Sequence, residues 1–265
     1  MCVWYSRDMT IRRGIFALVV AILVAVGGWY VFVHNQSLPH VLNAAGDRQV
    51  SETTDYYTIQ AVYPNETRLA TRTDTSSLAD RKAESTIESA INGIISSFKG
   101  DLGQMLTDDE KARLTQENTK YSLDIAYHPY NSGSFVSEEF DIYEDTGGAH
   151  PNSTYKTLVF DLNGNQVDLS DLFTSGSDYL TPIAAAAKAQ VEQQVAATTG
   201  EDATSSMIFA DGLTPKPENF ANWVDDQGTL IIFIPPYQAA AYAAGAFEVR
   251  IPLSELTSIL KPGIQ

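Results

Sequence analysis

The feature that most constrains this chain is an uncharged run near its start, GIFALVVAILVAVGGWYVFV, Gly14–Val33. A helix needs about 20 apolar residues to cross a bilayer, and this run has that length. Arg12 and Arg13 stand just before it, and Trp29 and Tyr30 sit near its far end. Basic residues stay on the cytoplasmic side and aromatic rings gather at the interface. The expected layout is therefore a short cytoplasmic tail over 1–13, a single transmembrane helix over 14–33, and everything later outside the cell membrane. A cleaved signal peptide is the rival, with Ala25-Val26-Gly27 as a small-residue cleavage site. The apolar run continues past it as GWYVFV, which favours the anchor. Met9 as well as Met1 reads as a natural start. Cys2 precedes the run, which argues against a lipidated N-terminus, and as the single cysteine it permits no internal disulfide.

Charge narrows the partners. The chain carries 17 basic and 33 acidic residues, a net charge of −16. Setting aside Arg7, Asp8, Arg12 and Arg13 leaves 14 against 32, a net −18 for the part beyond the tail. Such a balance disfavours nucleic acid as a partner, since nothing neutralises phosphates in bulk. It suits a domain that attracts basic proteins.

Residues 34–54 show no clear period and are expected to form a stalk. An N-terminal subdomain is expected over 55–146 and a C-terminal one over 147–265. YYTIQAVYP, Tyr56–Pro64, has the β-branched and aromatic content of a strand. A helix follows: Ile87, Ile91, Ile94 and Phe98 make one stripe, Ser77 and Asp80 resemble a capping box, and Gly100 is placed at its end. A short helix is expected near Thr107–Leu114. The period then changes to two. Tyr121, Leu123, Ile125 and Tyr127 point inward from one run, Phe140 and Ile142 from the next, and Leu158, Phe160 and Leu162 from a third, with NGN (163–165) as a tight turn. A second long helix has Thr181 as cap, Pro182 at its first position and a stripe of Ile183, Ala187, Val191 and Val195. Two strands, GTLIIFIPPY and AFEVRIPLSEL, close the chain. The fold class is α+β: antiparallel sheet covered by two main helices, preceded by the transmembrane helix.

Two stretches carry candidate chemistry. YEDTGGAHPNSTY, Tyr143–Tyr155, holds Gly147, Gly148 and His150 beside Glu144 and Asp145. Zinc sites take three or four ligands, mostly His and Cys, and only His128 and His150 fall inside the domain, with no thiol. No HExxH, GxSxG or phosphate loop is present. The glycines read as a backbone device allowing positive φ, with His150 as a local packing or surface group. PPYQAAAYAAG offers Tyr237, Tyr242 and Gly245: the two prolines end a strand, and the tyrosines either pack at its edge or anchor a ligand. Asp161, Asn163, Asn165 and Asp168 alternate as calcium ligands do, but the early glycine favours a hairpin turn. The candidate binding residues are thus Gly147, Gly148, His150, Tyr237, Tyr242 and Gly245. No catalytic residue, metal or cofactor is expected.

The ordered set GGAHP, VFDLNGNQVDLSDLF, a helix, and LIIFIPPYQAAAYAAGAFEVRIPLSEL resembles the extracytoplasmic domain families of unknown function 3298 and, for the N-terminal half, 4163. The likeness covers roughly Tyr56–Leu260. Its matching positions include Gly147, Gly148, Ala149, His150, Asp161, Leu162, Gly164, Leu169, Leu172, Phe173, Pro236, Tyr237, Tyr242 and Gly245. These families occur in the lysozyme-sensing anti-sigma factor of Gram-positive bacteria and in the non-catalytic region of a membrane-bound peptidoglycan deacetylase. The resemblance implies a bacterial source, so the sequons at Asn65 and Asn152 carry little weight. One departure is Gln238, where related sequences often carry an acid. Another is the tail before the span, too short for a sigma-binding domain. The expected function is a membrane-anchored extracytoplasmic module that binds a cell-envelope glycan or a basic protein such as lysozyme, rather than an enzyme. Its bilayer contact would run through Gly14–Val33. The alternatives are an envelope glycan hydrolase or deacetylase using His150, and a signalling sensor.

Overall fold

The computed structural model describes residues 47–65, 78–199 and 207–264. The expected anchor at 14–33 and the expected cap Ser77 lie outside them, and no helix among the described residues is long and apolar enough to cross a membrane. Two sheets form the frame. The first has five strands in the order β1 (Arg48–Thr53), β2 (Tyr57–Tyr63), β3 (Tyr121–Asn131), β4 (Phe135–Asp145) and β5 (Asn152–Asp161). The second has three, β6 (Trp223–Asp226), β7 (Thr229–Ile234) and β8 (Phe247–Pro252).

The α+β class stands, with mixed rather than purely antiparallel pairing. β2 runs parallel to β3, while the other neighbours are antiparallel. The cause is the connection: between β2 and β3 the chain makes helices α1 (Leu78–Met105) and α2 (Asp108–Glu117). A crossover that long returns to the same end of the sheet, which a tight hairpin does not. β1 occupies the end of the segment expected to be a stalk; its full antiparallel register with β2 makes it a sheet edge. The expected subdomain boundary at 146/147 falls in the turn between β4 and β5, which are neighbours in one sheet.

Strand alternation gives the first sheet two buried faces. Phe140, Ile142, Leu158 and Phe160 join Ile87, Ile91, Ile95 and Phe98 of α1 in one core. On the opposite face Tyr130 and Tyr155 pack on Val224, Ile231 and Phe233 of the second sheet. The other face of that sheet, with Leu230, Ile232 and Val249, lies against α3 (Leu180–Thr199) through Ile183, Ala187, Val191 and Val195. All four residues of that expected stripe are at most 1% exposed. The layers are helix, sheet, sheet, helix.

Several details differ from the sequence reading. α1 runs through Gly100 to Met105, and its stripe includes Ile95, buried, beside the expected Ile94, which is partly buried against the same core. A glycine inside a helix costs about 1 kcal/mol but does not end it when the buried face continues, and Leu102 continues it. α3 begins at Leu180, and the Asp178 carboxylate, not Thr181, accepts from the Thr181 N–H (3.1 Å). Leu162 is exposed because β5 ends at Asp161. There the Asp161 carboxylate accepts from the backbone N–H groups of Asn163 (2.9 Å) and Asn165 (2.8 Å), and so forms the expected turn. Gly164 in this turn has φ +73, and a Cβ on it would stand 2.1 Å from the Ala79 carbonyl oxygen at the start of α1. Glycine is required twice over, for conformation and for clearance.

Candidate functional site

The two stretches singled out in the sequence meet in space. The β4–β5 turn carries His150, and the β7–β8 connection carries Tyr237 and Tyr242. His150 Nε2 lies 2.8 Å from the Tyr237 hydroxyl, and Nδ1 lies 2.9 Å from the Pro151 carbonyl oxygen. A carbonyl only accepts, so Nδ1 carries a proton in this arrangement, and Nε2 shares the hydrogen bond with the Tyr237 hydroxyl. The Tyr242 ring stacks on the imidazole at 3.7 Å between centroids and 13° between planes. Tyr237 closes the group, its ring centroid 5.5 Å from each of the other two.

Local chemistry explains how each loop reaches this geometry. Asp145 accepts from the Gly147 N–H at 2.9 Å, an Asx-type turn, and Gly147 takes φ +74. A Cβ there would press on the Tyr121 ring (3.2 Å) and Arg113 (3.3 Å). Gly148 has no such constraint, its nearest neighbour lying at 3.6 Å. Gly245 closes the 3-10 turn over Tyr242–Ala244 with φ 79 and ψ −162, a region open essentially to glycine alone. The glycines thus shape the loops, while His150 and the two tyrosines supply the surface. Among the described residues, Glu144 and Asp145 make no hydrogen bond to the His150 ring, although they are close to it in sequence. Asp145 is engaged with Gly147, and burial raises the Glu144 carboxyl above its ordinary value.

Tyr237 is the least comfortable residue of the group. Residues Pro235–Gln238 form a turn closed by the Gln238 N–H on the Pro235 carbonyl at 3.2 Å. Proline stands second and a positive φ, +70, falls on the third residue, the pattern of a type II turn. Glycine or asparagine normally fills that place; a tyrosine there costs about 1–2 kcal/mol of backbone strain. Its side chain is nevertheless 52% exposed. A strained residue that shows half its ring to solvent is not held there by core packing. Gln238 secures the turn: its Nε2 donates to the carbonyls of Gly212 (2.9 Å) and Asn219 (2.8 Å). An acid at this position would set a carboxylate against two carbonyl oxygens. The glutamine therefore has a structural reason in this chain.

Sequence reasoning missed a second group on the face of β3 and β4 that looks toward the other sheet. His128 lies opposite Glu139 in the register, and Asp141 is two residues further on β4. His128 Nε2 and Asp141 Oδ2 are 3.2 Å apart, and that carboxylate holds the imidazole pKa above its ordinary value. Glu139 is buried, and burial, then the Asp141 charge, pushes its carboxyl up to about 8. The signal was available: NSGS, 131–134, is a turn, and folding the strands back around it sets His128 against Glu139.

The fold is a two-sheet α+β domain that carries a histidine–tyrosine cluster at its surface. Residues 170–254 match the family described as "Protein of unknown function (DUF3298)". That span includes Tyr237, Tyr242 and Gly245 but not His150. Among curated proteins, the peptidoglycan-N-acetylmuramic acid deacetylase PdaC of Bacillus subtilis is 25% identical over 159 residues, 60% of this chain and 33% of that protein. The immunogenic protein MPT64 of Mycobacterium tuberculosis is 24% identical over 151 residues, 55% of this chain and 63% of that protein. The aligned part thus spans a third of the first relative and less than two thirds of the second. A DUF3298 family protein of Bacteroides fragilis superposes with a TM-score of 0.54 at 20% identity, covering 81% of this chain and 92% of that one. One from Pseudomonas aeruginosa gives 0.51 at 14% identity, covering 82% and 95%. These likenesses concern the fold.

Proposed function

We propose that this chain is an extracytoplasmic binding module of the bacterial cell envelope, held to the membrane by Gly14–Val33, and that His150, Tyr237 and Tyr242 bind an envelope glycan. The observation that carries the reading is Tyr237: a half-exposed aromatic ring held at a positive φ, locked by the Gln238 amide and set beside a stacked His–Tyr pair. Aromatic faces pack against the C–H faces of sugar rings, while the hydroxyl and imidazole edges hydrogen-bond sugar hydroxyls. The likeness of part of the chain to a protein named as a peptidoglycan deacetylase supports a cell-wall glycan as the ligand class. The group binds rather than catalyses in this reading: both imidazole nitrogens are occupied, by a carbonyl and a phenol, and neither is hydrogen-bonded to a carboxylate of the described residues.

The test is retention on insoluble peptidoglycan. The purified protein should sediment with the glycan, and Tyr237→Ala should reduce retention at least about tenfold, the loss of roughly 1.4 kcal/mol expected of an aromatic anchor. Equal retention of both proteins would refute the site.

The charge of −16 favours a second reading, a basic protein such as lysozyme as partner. Attraction of that kind speeds encounter and weakens with salt. Capture by immobilised lysozyme at low salt that vanishes on raising salt supports it; no capture at low salt removes it.

A further inference from the structure

The inter-sheet face of β3 and β4 carries a set of donors separate from the loop cluster. His128 and Glu139 are cross-strand partners, and strand alternation puts Asp141 on the face shared by Glu139. One donor atom from each of the three lies within 4.8 Å of the others. The His128–Asp141 separation of 3.2 Å already matches the spacing of two ligands on one ion, about 3.3 Å for tetrahedral bonds of roughly 2.0–2.1 Å.

A second observation points to something missing between them. Glu139 is only 2% exposed, and its Oε1 has no hydrogen-bond partner among the described residues. A carboxylate buried without a partner is unfavourable by several kcal/mol, so it either takes up a proton or faces a cation. Arg250, a basic side chain on the adjoining sheet, is paired with Glu248. His128 and Asp141 keep 33% and 27% of their side chains exposed, so two of the three donors are open to solvent.

We propose that His128, Glu139 and Asp141 bind one first-row divalent cation, with Zn²⁺ the best fit and a fourth position open to water. The donor chemistry selects the class. An imidazole is a poor ligand for calcium or magnesium, and two carboxylates disfavour a soft monovalent copper ion. Two carboxylates and a neutral imidazole carry a charge of −2 that a divalent ion cancels. Three protein ligands with an open position are the zinc arrangement that leaves room for a water or a ligand atom. The ion would tie β3 to β4 beside Tyr130 and Tyr155, the residues that pack on Phe233 of the second sheet. The sequence reading expected no metal; the register assembles the set.

The experiment uses the full chain in detergent, stripped with a chelator and titrated with Co²⁺ as a spectroscopic stand-in for Zn²⁺. One equivalent of Co²⁺ should bind with the strong visible bands of low coordination, and Zn²⁺ should displace it. Asp141→Asn, at a part-exposed carboxylate, should weaken binding at least about tenfold without changing the far-ultraviolet spectrum, and His128→Ala should do the same. No saturable Co²⁺ uptake, or uptake unaltered in both variants, would overturn the proposal and leave Glu139 as a protonated buried acid. If His128→Ala fails to fold, the Asp141→Asn titration decides alone.

Discussion

Tyr237→Gly separates a binding role from a packing role. Glycine takes the +70 φ of this turn freely, which removes about 1–2 kcal/mol of strain. Against that, glycine adds about 0.4–1 kcal/mol of disorder to the unfolded chain. The hydrogen bond to His150 is lost, about 0.5–1.5 kcal/mol and toward the low end at a half-exposed site. The ring contacts with His150 and Tyr242, at 5.5 Å between centroids, add about 0.5 kcal/mol more. The terms nearly cancel, so urea denaturation should place the variant within about 1 kcal/mol of the parent. Peptidoglycan retention should nevertheless fall at least about tenfold, because the exposed aromatic anchor is gone. A loss of more than about 2 kcal/mol of stability would show that Tyr237 is held for packing. A stable variant with undiminished retention would show that the strain has another origin.

Three further outcomes follow from the same geometry. Gln238→Glu should destabilise the domain by about 2–3 kcal/mol near neutral pH, because the amide's two donations are lost and a carboxylate faces two carbonyls. Acid should relieve part of that loss, since the protonated carboxyl donates once; denaturation at two pH values checks it. Gly164→Ala should cost roughly 2–4 kcal/mol, from the left-handed φ and the clash with the Ala79 carbonyl, whereas Gly176→Ala, at φ +79 with open space around it, should cost only about 1–2 kcal/mol. Finally, the Arg113 guanidinium, then the Tyr121 hydroxyl, hold the Glu110 carboxyl down from its ordinary 4.5 to about 2. A depressed acid stabilises fully above its unfolded value, so this contribution should be complete above about pH 4.5 and fade as pH falls toward 2. Arg113→Ala should remove the larger part of the difference in a pH-dependent melting series, leaving the share held by the Tyr121 hydroxyl.

The parts of the fold that the sequence revealed are those set by local periodicity. The stripe Ile183, Ala187, Val191 and Val195 is a pure 3.6 pattern facing one core, and it is buried as read. Alternation placed Phe140, Ile142, Leu158 and Phe160 inward for the same reason. The failures come from non-local pairing. β1 has too few apolar residues to announce itself, since only its pairing with β2 makes it a strand. The parallel β2–β3 pair depends on where a long crossover lands, and no local signal encodes that. Val159 belongs to one core and Leu158 to another, so β5 is buried on both faces, which a single-face reading cannot represent.

The site obeys the same division, with one instructive exception. His150 and Tyr237 are 87 residues apart, and no spacing rule predicts that a hydroxyl and an imidazole so separated will meet at 2.8 Å. What the sequence did show was that both loops were unusual for loops: glycines beside a histidine in one, prolines and two tyrosines in the other. The exception is the third residue of the Pro-Pro-Tyr-Gln turn. Proline in second place fits a type I turn, which takes a tyrosine next, or a type II turn, which calls for glycine or asparagine. The φ of +70 selects the second, so the mismatch shows once the backbone is set beside the four residues. If Tyr237→Gly leaves stability unchanged, it is the side chain and not the fold that accounts for the strained backbone. The glycines at 147 and 245 are the complementary case, since their φ values demand them and their missing side chains contact nothing the site needs. Loop glycines that satisfy their turns speak for backbone geometry, whereas an aromatic residue that violates its turn speaks for a surface.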